Sequence, residues 1–214
     1  MIDGPRLPPA SGGPAKHLVV FLHGYGADGN DLIDIARHWA PILPDTAFVS
    51  PHAPEPCAQA PMGRQWFPLT TIDVHLIAEG VRHAAPAVDA FLDAELASLG
   101  LTDAALALVG FSQGTMMALH VGPRRRSPIA GIIGYSGMLA GPERLGEEAT
   151  GKPPILLVHG AADPVVPVMA LHAAVPALGA AGFETEWHVA PGLEHGIDGD
   201  GLQLGAAFLR RVLR

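Results

Sequence analysis

Short apolar runs rich in β-branched residues alternate along the chain with longer stretches whose apolar residues recur at helical spacing, the pattern of an α/β fold. The runs 18–22 (LVVFL), 46–50 (TAFVS), 106–109 (LALV), 129–135 (IAGIIGY), 155–158 (ILLV) and 184–189 (ETEWHV) are predicted strands. Most are apolar on both faces, as parallel strands covered by helices require. Between them, 31–39 is a predicted helix capped by Asn30. Val81, Ala85, Val88, Phe91, Leu92, Leu96 and Leu99 form one helical stripe, in which Pro86 marks a start or a kink. Segments 113–121, 168–181 and 202–213 complete the helices, the last two amphipathic. The order strand, helix, strand continues without an internal repeat or linker. It predicts one doubly wound, mostly parallel sheet with helices on both faces over 17–214, after a loose tail over 1–16.

Two segments break the pattern. Segment 51–72 carries five prolines and the string MGRQWFPL, and its 22 residues exceed the usual connection in a compact domain. Its apolar Met62, Trp66, Phe67 and Leu69 predict an ordered wall. Segment 136–154 joins two strands in 19 residues, which leaves no room for an inserted cap domain.

Composition narrows the function by exclusion. At 214 residues with 49% hydrophobic and 16% charged positions, one large core is expected and wholesale disorder is excluded. The 13 Lys plus Arg against 21 Asp plus Glu leave a net charge of -8, a field that repels phosphate backbones and anionic lipid, so nucleic acid is not an expected partner. The lysines are Lys16 and Lys152, and Lys152 precedes proline, so a Walker-type phosphate loop is absent. A single cysteine, Cys57, offers neither an internal disulfide nor a multi-thiolate metal site. The N-terminal stretch is polar and proline-rich, with no signal-like apolar run, and no later stretch approaches the roughly 20 apolar residues of a membrane span. A cytoplasmic chain without stable membrane insertion is expected.

Directly after the strand at 106–109 comes Gly110-Phe111-Ser112-Gln113-Gly114, and a helical run follows. This is G-x-S-x-G between strand and helix, the setting of a nucleophile elbow. There the turn strains the serine backbone, and the flanking glycines keep side chains clear of strand and helix. A serine hydroxyl needs a base to take its proton and a carboxylate to orient that base, here expected in the order Ser, acid, His. Asp163 follows the strand at 155–158, and His195 stands in the loop after the last strand. Among eleven histidines, His195 alone has both the order and the context; His159, His172 and His188 read as structural. Nothing pairs histidines at metal-ligand spacing, so neither a metal nor another cofactor is implied. The oxyanion donors expected are the backbone N–H of Gln113 and one from the loop His23-Gly24-Tyr25-Gly26. A rival reading starts from the same loop. Gly24, Gly26 and Gly29 match G-x-G-x-x-G, the dinucleotide fingerprint of an oxidoreductase. That site wants an acidic residue about 20 positions on, where this chain has Ser50-Pro51-His52.

With these residues in place, the chain resembles the carboxylesterase/phospholipase family of α/β hydrolases that includes the acyl-protein thioesterases. The likeness runs from FLHGYGADG through GFSQG and HGAADPVVP to GLEHG, nearly the whole domain. It implies an α/β hydrolase fold with Ser112 as nucleophile, His195 as base and Asp163 as its orienter. It also implies oxyanion N–H groups from Tyr25 and Gln113, and an acyl site beside Trp66 and Phe67, joined by Met62, Leu69 and Val165. Tyr25 stands where relatives commonly have Leu, and Gly196 where they often have Ser. The expected activity is two-step hydrolysis of short-to-medium acyl carboxyl esters, with a thioesterase or lysophospholipase as the variant using the same residues. The expected partner is a small ester or acyl substrate. A homodimer through 178–183 or the final helix is left open, and Arg124-Arg125-Arg126 reads as a solvated helix end.

Overall fold

In the computed structural model, which describes residues 2–69, 71 and 73–213, all six predicted strands form. In chain order the elements are β1 (Arg6–Leu7), β2 (His17–Leu22), α1 (Gly29–Trp39), β3 (Thr46–Val49), β4 (Glu55–Cys57), β5 (Ala60–Gln65) and α2 (Val74–Leu99). They continue with β6 (Leu106–Phe111), α3 (Gln113–Arg124), β7 (Gly131–Tyr135), α4 (Leu145–Glu148), β8 (Ile155–Gly160), α5 (Met169–Ala180), β9 (Thr185–Ala190) and α6 (Gly199–Val212).

Seven strands make one sheet in the order β1-β3-β2-β6-β7-β8-β9, parallel except for β1. The alternation within β2 shows why it is covered on both sides. Leu18, Val20 and Leu22 point into a core shared with α2, α3 and α5, whereas Val19 and Phe21 point into a second core with Trp39 of α1 and Phe208 of α6. Strand β6 lies near the middle, so its C-terminal end is flanked by the ends of β2 and β7, and the ends of β8 and β9 lie beyond. This edge is where open α/β sheets carry their sites.

The structure departs from the sequence reading in several places. The segment read as a loose tail is pinned at Arg6–Leu7, which pair antiparallel with β3, and Arg6 also binds Glu95 of α2. Helix α1 is capped by Asp28 rather than Asn30, since the Asp28 carboxylate accepts the Asn30 N–H at 2.7 Å. Helix α2 does not start at Pro86. It runs on from its Asp73 cap because Ile77, Val81, Val88 and Leu92 bury one continuous stripe, and this offsets the hydrogen bond that proline cannot donate. Within 51–72, β4 and β5 form a hairpin; Thr70 and Ile72 lie outside the described residues.

Of the arginine run read as a solvated helix end, only Arg126 is exposed. Arg125 is buried and bonds Asp89, Asp93 and Asp103, which ties α3 to α2, and Arg124 pairs with Glu148. Leu178 and Phe183, read as candidate dimer contacts, are buried in the chain's own core. Among the described residues, no helix is long and apolar enough to cross a membrane.

Candidate active site

Ser112 joins β6 to α3 with φ 53° and ψ −114°, a left-handed conformation that costs a non-glycine residue about 1–3 kcal/mol. The surroundings over-determine it. A Cβ at Gly110 would sit 2.4 Å from Thr115 N, and one at Gly114 would sit 1.7 Å from Leu22 O, so only glycine lets α3 fold back this closely on β6 and β2. The Ser112 N–H donates to Tyr135 O at 2.9 Å, and Thr115 Oγ1 donates to the same carbonyl at 2.8 Å, so the turn is bonded to β7.

Asp163 lies in the turn after β8, its side chain wholly buried. One carboxylate oxygen, Oδ1, accepts the Val165 and Val166 N–H groups at 2.8 and 2.9 Å; the other, Oδ2, lies 2.7 Å from His195 Nδ1. Burial pushes this carboxyl up, but the His195 hydrogen bond and the Val166 and Val165 N–H groups together hold it below its usual range. It is therefore an anion at neutral pH. As an acceptor only, it fixes the proton of His195 on Nδ1 and leaves Nε2 free to accept. The imidazole packs against the Phe111 ring at 4.9 Å between centroids. Among the described residues, no hydrogen bond joins the Ser112 hydroxyl to His195, though both face one cavity of about 420 Å³. Such bonds commonly tighten only with substrate in place.

The loop after β2 brings Tyr25 to the same cavity. It is held by His23, which is fully buried: its Nδ1 donates to Gly24 O at 2.8 Å and its Nε2 accepts the Ala53 N–H at 3.0 Å. Burial pushes the His23 pKa down to about 4, so the ring is neutral and the two bonds fix its tautomer. Gly24 lets this loop pass the β6–α3 turn, since a Cβ there would crowd the Phe111 ring at 3.1 Å. Neither the Tyr25 nor the Gln113 N–H has an intramolecular partner among the described residues. Gln113 opens α3, where free donors and the helix dipole favour negative charge.

The predicted acyl wall divides. Leu69 and Val165 line the cavity. Met62 does not: on the β4–β5 hairpin it is 92% exposed and turned to solvent. Trp66 and Phe67 are buried behind the site rather than lining it. The Trp66 N–H donates to Gln113 Oε1 at 2.9 Å, Gln113 Nε2 donates to Phe67 O at 2.8 Å, and Trp66 Nε1 donates to His23 O at 2.9 Å. They brace the two loops that carry the free N–H groups. The lining that the sequence reading missed comes from Ile77, Met116, Met138, Met169 and Ala170. Ile77 belongs to the first turn of α2, ahead of the stripe that periodicity identified. Val166 and Pro167, which also line the cavity, were in view within the Asp163 motif without an assigned role.

Residues 9–213 match the phospholipase/carboxylesterase family. The chain belongs to this family. The carboxylesterase/phospholipase resemblance and the α/β hydrolase fold are thereby established, and hydrolysis in the esterase or thioesterase class is the activity membership carries. The chain is 32% identical over 207 residues to the esterase YpfH of Escherichia coli strain K12, covering 94% of this chain and 84% of that one. It is 27% identical over 212 residues to acyl-protein thioesterase 1 of Gibberella zeae, covering 91% and 90%. Among solved structures, that of esterase PE8 superposes with a TM-score of 0.95 at 46% identity, covering 99% of both chains.

Proposed function

We propose that this family member is a serine carboxylesterase that hydrolyses short-to-medium acyl esters through an acyl-enzyme on Ser112. The observation that carries this reading is the buried Asp163–His195 bond of 2.7 Å opening onto the cavity that Ser112 faces. Ser112 attacks the ester carbonyl while His195 Nε2 takes its proton; the imidazolium so formed is stabilised by Asp163 and returns the proton to the leaving alcohol. A water, deprotonated by His195, then attacks the acyl-enzyme and releases the acid. The Tyr25 and Gln113 N–H groups receive the negative charge that develops on the carbonyl oxygen in both steps. Relatives named esterase and acyl-protein thioesterase support the same chemistry.

A second reading, hydrolysis of longer acyl thioesters or lysophospholipids by the same residues, is favoured by one observation. A further cavity of about 280 Å³ shares Ile77, Met138 and Ala170 with the first and is walled by small residues of α2 and α5, including Ala78, Ala174 and Ala177. An acyl series of p-nitrophenyl esters and of thioesters separates the two. The carboxylesterase reading predicts that kcat/KM peaks at short to medium esters, whereas a rise through palmitoyl thioesters establishes the second. With either substrate Ser112→Ala should abolish turnover, and retained activity contradicts both.

A further inference from the structure

His159, the penultimate residue of β8, was assigned a structural role from its sequence context, and its imidazole is only 2% exposed. Its Nε2 lies 2.7 Å from Val166 O. A carbonyl only accepts, so this nitrogen carries hydrogen. The same nitrogen is 3.4 Å from Asp163 Oδ2, the carboxylate oxygen that binds His195 Nδ1 at 2.7 Å. Among the described residues, His159 and His195 are the titratable side chains within ion-pairing distance of Asp163.

The Nε2–H points to Val166 O, so the 3.4 Å approach to Oδ2 is packing rather than a second hydrogen bond; the carboxylate itself is held by Val165 and Val166 N–H on Oδ1 and by His195 on Oδ2. His159 also closes the turn from behind, because Val166 both donates its N–H to Asp163 and gives its carbonyl to His159. An apolar residue at 159 would leave the buried Val166 carbonyl without this donor. The Val166 N–H that holds Asp163 Oδ1 would then no longer be fixed from behind.

Resting on the reading of Ser112, His195 and Asp163 as the catalytic set, we propose that His159 is a positioning residue. It locks the Asp163 turn and carboxylate so that His195 is held in the tautomer and orientation that activate Ser112. His159 touches no substrate; it lies behind Asp163, away from the cavity lining. Its loss should therefore lower kcat and leave KM nearly unchanged.

The test compares His159→Leu, His159→Asn and His159→Gln in the full chain, with kcat and KM for a p-nitrophenyl ester and a melting curve for each. The glutamine amide nitrogen reaches the place of Nε2, whereas that of asparagine reaches only the place of Nδ1. Leu and Asn are expected to lose kcat by up to about a hundredfold, the cost of a small misplacement of a reacting group, and Gln to recover most of it. If the Leu variant does not fold, the Asn and Gln pair decides. Equal kcat in the Asn and Gln variants, or wild-type kcat in a folded Leu variant, overturns the proposal. Loss of turnover in Ser112→Ala alongside that result leaves the catalytic set standing and removes only His159; an active Ser112→Ala removes the set itself.

Discussion

The Asp163 carboxylate and the His195 imidazole, 32 residues apart in sequence, meet at 2.7 Å with the carboxylate wholly shielded from solvent. The contact exists because β8 and β9 are parallel neighbours in register from Ile155↔Thr185 to Gly160↔Ala190, so the loops that follow them emerge side by side. A Cβ on Gly160 would meet Glu194 O and Leu193 O at 2.3 Å, so the absence of a side chain there lets the His195 loop fold over the end of β8.

Asp163→Asn keeps the shape of the side chain but allows its amide to donate to Nδ1, which stabilises the wrong imidazole tautomer. Steady-state kinetics at neutral pH should show kcat reduced by about ten-thousandfold, the size of effect seen when the same change is made in a serine protease triad, with the melting temperature little changed. A loss below tenfold would mean that Asp163 does not orient the base.

Gln113→Ala removes the side chain that bonds the Trp66 N–H and the Phe67 carbonyl, while the Gln113 backbone N–H remains. Leaving these buried groups unpaired should cost about 2–4 kcal/mol, a drop in melting temperature of roughly 4–16 °C for a chain of this size. Turnover should fall but persist, since the proposed oxyanion donor belongs to the backbone. Calorimetry and kinetics on the same sample check both halves.

Acid should destabilise the fold by charging two buried imidazoles. His23 has its pKa pushed down to about 4 by burial, and His120 likewise to about 4, against 6.5 in the unfolded chain. The unfolded state therefore binds more protons between pH 6.5 and 4. The stability held above 6.5 is lost progressively as pH falls toward 4, by about 3 kcal/mol for each residue. Asp163, with a folded value below its unfolded 3.8, adds a further loss only below that pH. Melting temperature followed from pH 7.5 to 4.5 should fall steadily, and a flat profile would show that neither imidazole is held neutral.

Side chains on either side of the cavity should separate cleanly. Met62→Ala, on a residue turned to solvent, should leave kcat/KM within about twofold, in line with a neutral surface change. Ala170→Phe, at the junction of the two cavities, should depress kcat/KM for long acyl chains while sparing acetyl esters. An equal loss across chain lengths would mean that acyl groups do not pass Ala170.

The inner strands were legible because parallel strands buried on both faces read as unbroken apolar runs, and the candidate residues Ser112, Asp163 and His195 stood out because each follows a strand in a distinctive local string; β9, partly exposed, carries no such run. Contacts that depend on tertiary placement were not. Nothing in MGRQWFPL separates the solvent-facing Met62 on β5 from Trp66 just past it, which is buried because its N–H groups reach Gln113 Oε1 and His23 O in distant loops. Pro86 argued for a helix start or a kink, yet α2 already begins at Val74, and tertiary burial of its stripe overrides the local cost. Arg125 carried no periodic signal, since its three aspartate partners lie 22 to 36 residues earlier in the chain.

Labelling with a fluorophosphonate, followed by proteolysis and peptide mapping, tests the central claim most directly. The account predicts stoichiometric modification of Ser112, complete loss of ester turnover in step with labelling, and no labelling of Ser112→Ala. A label on any other residue, or full activity in a protein labelled at Ser112, would contradict it.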